Sequence, residues 1–547
     1  MMRLPAGERS TWVWQTAPAA AGLIVLLFCR RAWHALWFMP FVDETEHIIG
    51  GRVLRAGGFL YRDFVEQHGP LPYALGELSS YVPHFAQPGA ARLLMLALMA
   101  AATAAVAASP CLRGWWERCC AAALFVGLTG SLWIVQALCM LDYQPVTGML
   151  LVIGCAQSTF CAWCRAPVHR AGLAVAGAAF ALVPFAAYSY APATILLTAS
   201  LLAAFARRGA ARDLLPFAAG AAASVAVMGT WMLLKCDLVG YFVYHIIFNQ
   251  LYVASYIHFS LTNLPGGFVP HFTPGLIVQA IATLVAVSGF LVLALRGGGV
   301  RHVVVVGIGL LGVVMSNPRA NPGFQNGAFV LLAFGMAGVG LPRLPRALGL
   351  PDGGVVRAGG AVAMICVVAA AEGAARTALS SPHGFTRAEI TALPRISLVQ
   401  SDAPWARRLR RIVAPDEPIL VLAFQPNVYI EAGRLPMPGF DHYFPWDTDY
   451  ARHPWFGRGR DICAAIRRAP PAVIYDTDWV VWGRYAPQDY MPCVAALRAE
   501  LYEQVETEPP IYVRKDRAAA WRVALPNKMG SGAYGPSGVQ GQSPWPS

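Results

Sequence analysis

Eleven stretches of this 547-residue chain are apolar over lengths close to the ~20 residues a helix needs to cross a bilayer, and they decide what the chain can fold into. They run near 16–29, 90–109, 119–138, 145–163, 171–187, 190–206, 214–234, 273–295, 302–316, 324–340 and 357–375. In lipid every backbone amide and carbonyl must find its partner within the segment, which leaves the helix as the form for runs of this length. Charged residues make up only 13% of the chain, about half of what soluble proteins carry. The expected class is an all-α polytopic membrane protein of about eleven transmembrane helices. Where the runs stop, near Arg376, a small α/β extracytoplasmic domain is expected.

The formal net charge of +12 does not point to nucleic acid, because the arginines lie scattered between apolar runs and not on one polar surface. Their distribution follows membrane orientation instead. With the N-terminus inside, the short inner loops hold Arg3, Arg9, Arg113, Arg118, Arg165, Arg170, Arg207, Arg208, Arg212, Arg296, Arg301, Arg343, Arg346 and Arg357. The outer loops hold Lys235 and Arg319, with Arg52, Arg55 and Arg62 in the long first one. Positive residues are retained in the cytoplasm, so the first loop and the C-terminal region face outward. The first run reads as an uncleaved signal-anchor, since many more spans follow it and no small-residue cleavage site does. The resulting organisation is a membrane domain over 1–380, with outer loops at 41–89 and 235–272, a folded domain over 381–525, and a Gly/Ser/Pro/Gln tail over 526–547 that has the composition of disorder.

The first outer loop carries the densest chemistry. Phe41 to Tyr73 reads FVDETEHIIGGRVLRAGGFLYRDFVEQHGPLPY. Asp43 and Glu44 stand together at the exit of a span, where mutual repulsion raises one carboxyl toward neutral pH and suits a general base. His47 lies four residues from Asp43 and three from Glu44, on one helical face. Arg62 and Asp63 fit either a substrate contact or an ion pair that braces the loop. The acidic pair also fits a solvated cap on the span.

An acidic pair after the first span, followed by G-x-x-x-Y-R-D and H-G-P-L-x-Y, resembles the polytopic GT-C glycosyltransferases, which include dolichyl-phosphate-mannose protein mannosyltransferases and bacterial enzymes that modify lipid A or surface glycans. The matching residues are Asp43, Glu44, His47, Gly57, Tyr61, Arg62, Asp63, His68, Gly69, Pro70 and Tyr73. The resemblance implies inverting transfer of a sugar from a polyprenyl-phosphate donor to a lipid, glycan or protein acceptor on the periplasmic face of a bacterial inner membrane. It implies Asp43 as the base with Glu44 beside it, and His47, Tyr61, Arg62, Asp63 and His68 as substrate-binding residues. No cofactor is assigned, and whether a divalent metal takes part is left open. Glu46 stands where lipid A-modifying relatives carry arginine, so their aminoarabinose donor is not carried over. A secondary transporter and a noncatalytic surface-polysaccharide assembly protein are the competing readings; transporter carboxylates lie within spans near the midplane, whereas these lie in a loop.

Other features are weaker. Tyr241, Tyr244, Phe248, Tyr252 and Tyr256, spaced by three or four, form an aromatic helical face suited to the headgroup layer or to a lid over a lipid-linked substrate. Arg319, in the outer turn Ser316 to Asn326, is a candidate for binding phosphate. Gly307 to Gly312 matches G-x-G-x-x-G without the acidic residue or the βαβ pattern of a dinucleotide site. Cys161 and Cys164 form a C-x-x-C with no second pair. Cys463 and Cys493 can pair if their compartment is oxidising. The loop 440–456 gathers Asp441, His442, Asp447, Asp449 and His453 among aromatics, a composition for sugar binding or an ordinary surface, without metal-ligand spacing.

Overall fold

A computed structural model describes residues 8–36, 42–82, 88–134, 137–209, 211–256, 274–317, 326–350, 360–361, 363–372, 403–422 and 424–524. The chain divides into two compact units. The first comprises Met1–Phe38, Arg92–Gly229 and Phe259–Arg395; the second gathers Met39–Ala91, Thr230–His258 and Ile396–Ser547. The loop after the first apolar helix, the aromatic segment after residue 235 and the C-terminal region therefore share one unit.

Among the described residues seven helices are long and apolar enough to cross a membrane: Ala19–Leu36, Gly89–Ala107, Tyr143–Trp163, Tyr188–Ala206, Arg212–Lys235, Ile281–Met315 and Gly327–Ala347. The helix Trp115–Leu132 and the shorter apolar helices Arg170–Ala186 and Ala363–Glu372 occupy three further runs. The remaining difference from eleven lies at Gly299. Pro274–Met315 is continuous by its hydrogen bonds, but Gly299 takes φ 61° and ψ −165°, which breaks it into two helices; only glycine enters that region at no steric cost.

Small residues let the helices of this unit touch. A Cβ on Gly177 would lie 1.9 Å from the Phe217 carbonyl oxygen, and one on Gly220 would lie 1.9 Å from that of Ala174. In lipid, where burying apolar surface gives little, such backbone approach supplies the dispersion contacts that hold helices together. Polar side chains add cross-links: Trp163 Nε1 donates to Ser200 Oγ at 2.8 Å, and that hydroxyl donates to the Val305 carbonyl at 2.7 Å. The π-turn at Cys155–Thr159 loosens the helical ladder, and Ser109 Oγ donates to the Ala156 carbonyl at 2.7 Å. Cys161 and Cys164 are free thiols.

In the second unit, strands β1 (Leu420–Val421), β2 (Val473–Tyr475), β3 (Tyr502–Thr507) and β4 (Pro510–Arg514) form one sheet in the order β1-β2-β4-β3. The β1–β2 pair is parallel and the others antiparallel. Helices Pro404–Ile412, Ile462–Arg468, Pro492–Leu501 and Lys515–Val523 accompany it, giving the expected α/β character. A disulfide joins Cys463 to Cys493. The tail after residue 524 lies outside the described residues.

Candidate functional site

The site starts from a helix, Val42–Arg55, which opens with Asp43 and Glu44 in its first turn, where the positive end of the helix dipole favours carboxylates. A second helix, Pro70–Ser80, starts at the proline of the H-G-P element, with Gly69 as its N-cap; a ring that fixes φ and lacks an N–H suits the first helical position. The two helices meet through glycines. A Cβ on Gly51 would lie 2.2 Å from the Gly76 carbonyl carbon, one on Gly76 2.3 Å from the His47 carbonyl oxygen, and one on Gly50 2.5 Å from the Tyr73 ring. That approach lets the Tyr73 hydroxyl donate to Glu46 Oε1 at 2.9 Å and packs the His47 ring 4.8 Å from Tyr73 and 5.4 Å from His68.

The intervening loop is held from several sides. Tyr61 is buried at φ 65°, its amide donating to the Phe64 carbonyl at 2.7 Å and its hydroxyl to the His68 carbonyl at 2.8 Å. Asp63 accepts from the Phe59 amide at 2.8 Å and from Arg62 Nη2 at 2.7 Å, while the Arg62 guanidinium lies 4.1 Å over the Phe59 ring. Of the two roles open to Arg62 and Asp63, the brace is therefore present. Asn249 Nδ2 donates to the Gln67 carbonyl at 2.7 Å, and His245 Nδ1 lies 2.8 Å from the same oxygen. Both project from the π-helical Tyr241–Val253, so the aromatic segment reaches the loop through polar side chains as well as rings.

The third contributor is the segment after β1. Asp441, His442, Asp447 and Arg460 are all buried. Arg460 donates to Asp447 at 2.7 Å and to the His442 carbonyl at 2.9 Å. His442 lies with Nδ1 2.6 Å from Asp441 and Nε2 3.6 Å from Glu66 Oε1. A small cavity of about 10 Å³ is lined by Glu66, Gln67, Tyr244, Phe248, His442 and Arg460, among others.

Burial governs the electrostatics. The Asp43 carboxyl, half-buried, is pushed up to about 6 by desolvation, against the opposing attraction of His68 and His442. Burial also raises Glu46 and Glu66, the latter further through the charge of Glu46. His442 is raised: burial works against its protonation, but the carboxylates of Asp441 and Glu66 outweigh it. His245 falls to about 4, again through burial. A carboxylate near pH 6 among imidazoles can accept a proton at neutral pH and return it.

The structure thus gathers Asp43, Glu44, His47, Tyr61, Arg62, Asp63 and His68 in one unit, while Arg319 lies outside the described residues. His68 Nδ1 lies 3.4 Å from Glu46 Oε1 and 3.8 Å from Glu66 Oε2. Sequence reasoning did not single out Glu66, His245, Asn249 or Arg460. None stands in a local motif, and only the fold brings residue 442 to residue 66.

No family model and no curated protein matches the chain. Among solved structures it is similar to ArnT from Cupriavidus metallidurans bound to undecaprenyl phosphate, with 15% identity and a TM-score of 0.55 over 90% of this chain and 97% of that one. The apo state of the same protein gives 13% identity and a TM-score of 0.54 over 92% and 99%. The archaeal oligosaccharyltransferase AglB from Archaeoglobus fulgidus, in complex with an inhibitory peptide and a dolichol-phosphate, gives 9% and 0.41 over 92% and 74%. The ArnT pair shows that this chain shares the fold of ArnT over nearly its whole length.

Proposed function

We propose, from a chain with the fold of ArnT, that this protein is a bacterial inner-membrane glycosyltransferase that moves a sugar from a polyprenyl-phosphate donor to a hydroxyl of an extracytoplasmic lipid, glycan or protein. One observation carries the reading: a half-buried carboxyl, Asp43, whose pKa of about 6 is set beside His68 and His442 at the first helical turn after a span. The similarity to ArnT, one structure of which holds undecaprenyl phosphate, supports the donor class.

In the proposed reaction the acceptor oxygen attacks the anomeric carbon as Asp43 removes its proton, and the bond from that carbon to the phosphate oxygen breaks. A single displacement inverts the anomeric centre and releases polyprenyl phosphate. Charge accumulates on that leaving phosphate, where a cation lowers the barrier. His68 and Arg319 are the proposed phosphate partners, Glu44 tunes the carboxyl of Asp43, and His47, Tyr61 and the Arg62–Asp63 pair shape the loop around the donor. Purified protein given a sugar-loaded polyprenyl phosphate should release polyprenyl phosphate, and comparing glycolipids of a deletion strain and its parent by mass spectrometry should reveal the acceptor. Absence of release across donor sugars, together with unchanged glycolipids, would sink the reading.

A further inference from the structure

We propose that Arg165, Arg207, Arg208 and Arg301 bind the headgroup of an anionic phospholipid that carries two phosphates, its acyl chains lying along the apolar flank of the same helices. All four side chains are exposed, and they stand where helix ends of the first unit meet. Arg165 follows Tyr143–Trp163, Arg207 and Arg208 follow Tyr188–Ala206, and Arg301 lies beside the break at Gly299. Contacts tie these ends together: Arg207 Nη1 donates to the Arg301 carbonyl at 2.6 Å, and His302 Nε2 lies 2.8 Å from the Trp163 carbonyl oxygen. Arg165 holds φ 54°, a left-handed conformation that residues with side chains seldom adopt. Its guanidinium lies over Gly298, where a Cβ would come 2.4 Å from Nη2. The missing side chain at Gly298 is the room that Arg165 occupies.

The cluster carries unmatched charge. Among the described residues no ion pair includes any of the four arginines, whereas Arg346 and Arg31 of the same unit pair with Glu117 and Glu372. The charges of Arg165, Arg207 and Arg208 all reach His302, so the guanidinium groups crowd one another. Desolvation, and then the charges of Arg165 and Arg207, hold Arg208 below its ordinary value. An anion settling among them relieves that repulsion and gains charge-assisted hydrogen bonds, for which the planar guanidinium matches phosphate oxygens. A single phosphodiester brings one negative charge to the cluster, and two joined phosphodiesters balance it better. The flank selects a lipid over a soluble diphosphate: Leu202, Leu295, Val300 and Val304 are exposed within two helical turns of Arg207 or Arg301. Apolar side chains beside a cationic rim fit acyl chains beneath a headgroup. The arginine counts assign this face to the cytoplasm, whose leaflet supplies anionic lipids to basic pockets between spans.

The test reads lipid binding and so does not depend on the reaction proposed above. Full-length protein in detergent, stripped of lipid and titrated with cardiolipin, should bind one molecule per chain at this site by native mass spectrometry, more tightly than phosphatidylglycerol with its single phosphate. Its melting temperature should rise with cardiolipin, because a ligand of the folded state stabilises it. Arg165→Gln combined with Arg207→Gln should weaken cardiolipin binding about 30-fold, at roughly fivefold for each arginine near anionic headgroups. Arg113→Gln combined with Arg118→Gln removes the same charge from another inner loop and should change binding little. Gly298→Ala keeps every charge but displaces Arg165, so it should weaken binding as well. Inorganic pyrophosphate at matched ionic strength should fail to displace the lipid. Saturable cardiolipin binding that is absent, or lost equally in the two double variants, overturns the proposal. Displacement by pyrophosphate overturns it too, because the arginines then form a soluble-anion site.

Discussion

At the scale of single residues, Asp43 is the most exposed to test. Asp43→Asn keeps shape and hydrogen-bonding capacity but loses basicity, so turnover should fall by about 10²–10⁴-fold, the usual contribution of general base catalysis, with donor binding retained. Near-normal turnover in the well-expressed variant removes Asp43 from the chemical step. Glu44→Gln should cost less, and if it is the dead variant the two roles are exchanged. The wild-type rate should lose its acid limb near pH 6, where Asp43 takes up its proton. Stability follows with a definite sign. A folded-state pKa raised from 3.8 to about 6 means the folded protein holds this proton more tightly than the unfolded chain does, so stability present below pH 3.8 is lost as pH rises through about 6. Asp43→Asn should therefore melt higher than wild type at pH 8, with the gap closing toward pH 4; a lower melting temperature at pH 8 contradicts the assigned burial. His68→Ala should weaken donor binding by roughly 1.5–3 kcal/mol, the range for hydrogen bonds to charged groups; unchanged affinity excludes it as a phosphate partner.

What the sequence made legible at this scale was what lies close along the chain. Asp43, Glu44 and His47 read as a group because a helix places three- and four-residue neighbours together, and Tyr61 to His68 follow within one loop. The Arg62–Asp63 pair left two roles open, and the structure shows the brace. Glu46, Glu66 and His442 were unreadable as a set, since their closeness depends on a contact between positions hundreds of residues apart that no spacing rule encodes. His442 stood out only for its company of aromatics and acids.

At the scale of elements, glycine decides where helices touch. Gly51 and Gly76 allow Val42–Arg55 and Pro70–Ser80 to approach until backbone meets backbone, and that contact sets Tyr73 against Glu46. Gly76→Val would put carbon 2.3 Å from the His47 carbonyl oxygen, which only a backbone shift relieves. Overpacking of this kind costs about 1–3 kcal/mol, so the variant should melt lower and lose turnover together, whereas Gly114→Val, where a Cβ meets nothing within 4 Å, should do neither. Equal melting temperatures would show that the helices do not need the close crossing. Apolar runs announce that helices exist, but not which glycines form their crossings, because a glycine at a contact and one in a loose stretch look alike until the neighbour is known.

At the scale of the whole molecule the open quantity is orientation, and the parity of the span count fixes it for the C-terminal region. Among the described residues, the seven long apolar helices, Trp115–Leu132, the two shorter apolar helices and the division of Pro274–Met315 at Gly299 match the eleven apolar runs. The division is the sensitive step, because without the Gly299 break the count is even and the C-terminus returns to the cytoplasm. Arg296 and Arg301 flank that break, and retention of positive charge inside argues that the chain turns back there on the cytoplasmic side. The Cys463–Cys493 disulfide argues independently for an oxidising location of the C-terminal domain. A phosphatase reporter fused after Lys515 should then be active, and a fluorescent protein that matures only in the cytosol should be dark there but bright when fused at Gly299. In intact cells Cys463 and Cys493 should resist alkylation until a reductant is added. Cytosolic fluorescence after Lys515 would refute an odd number of spans, yet it would leave Asp43 outside, since one crossing alone separates that residue from the N-terminus.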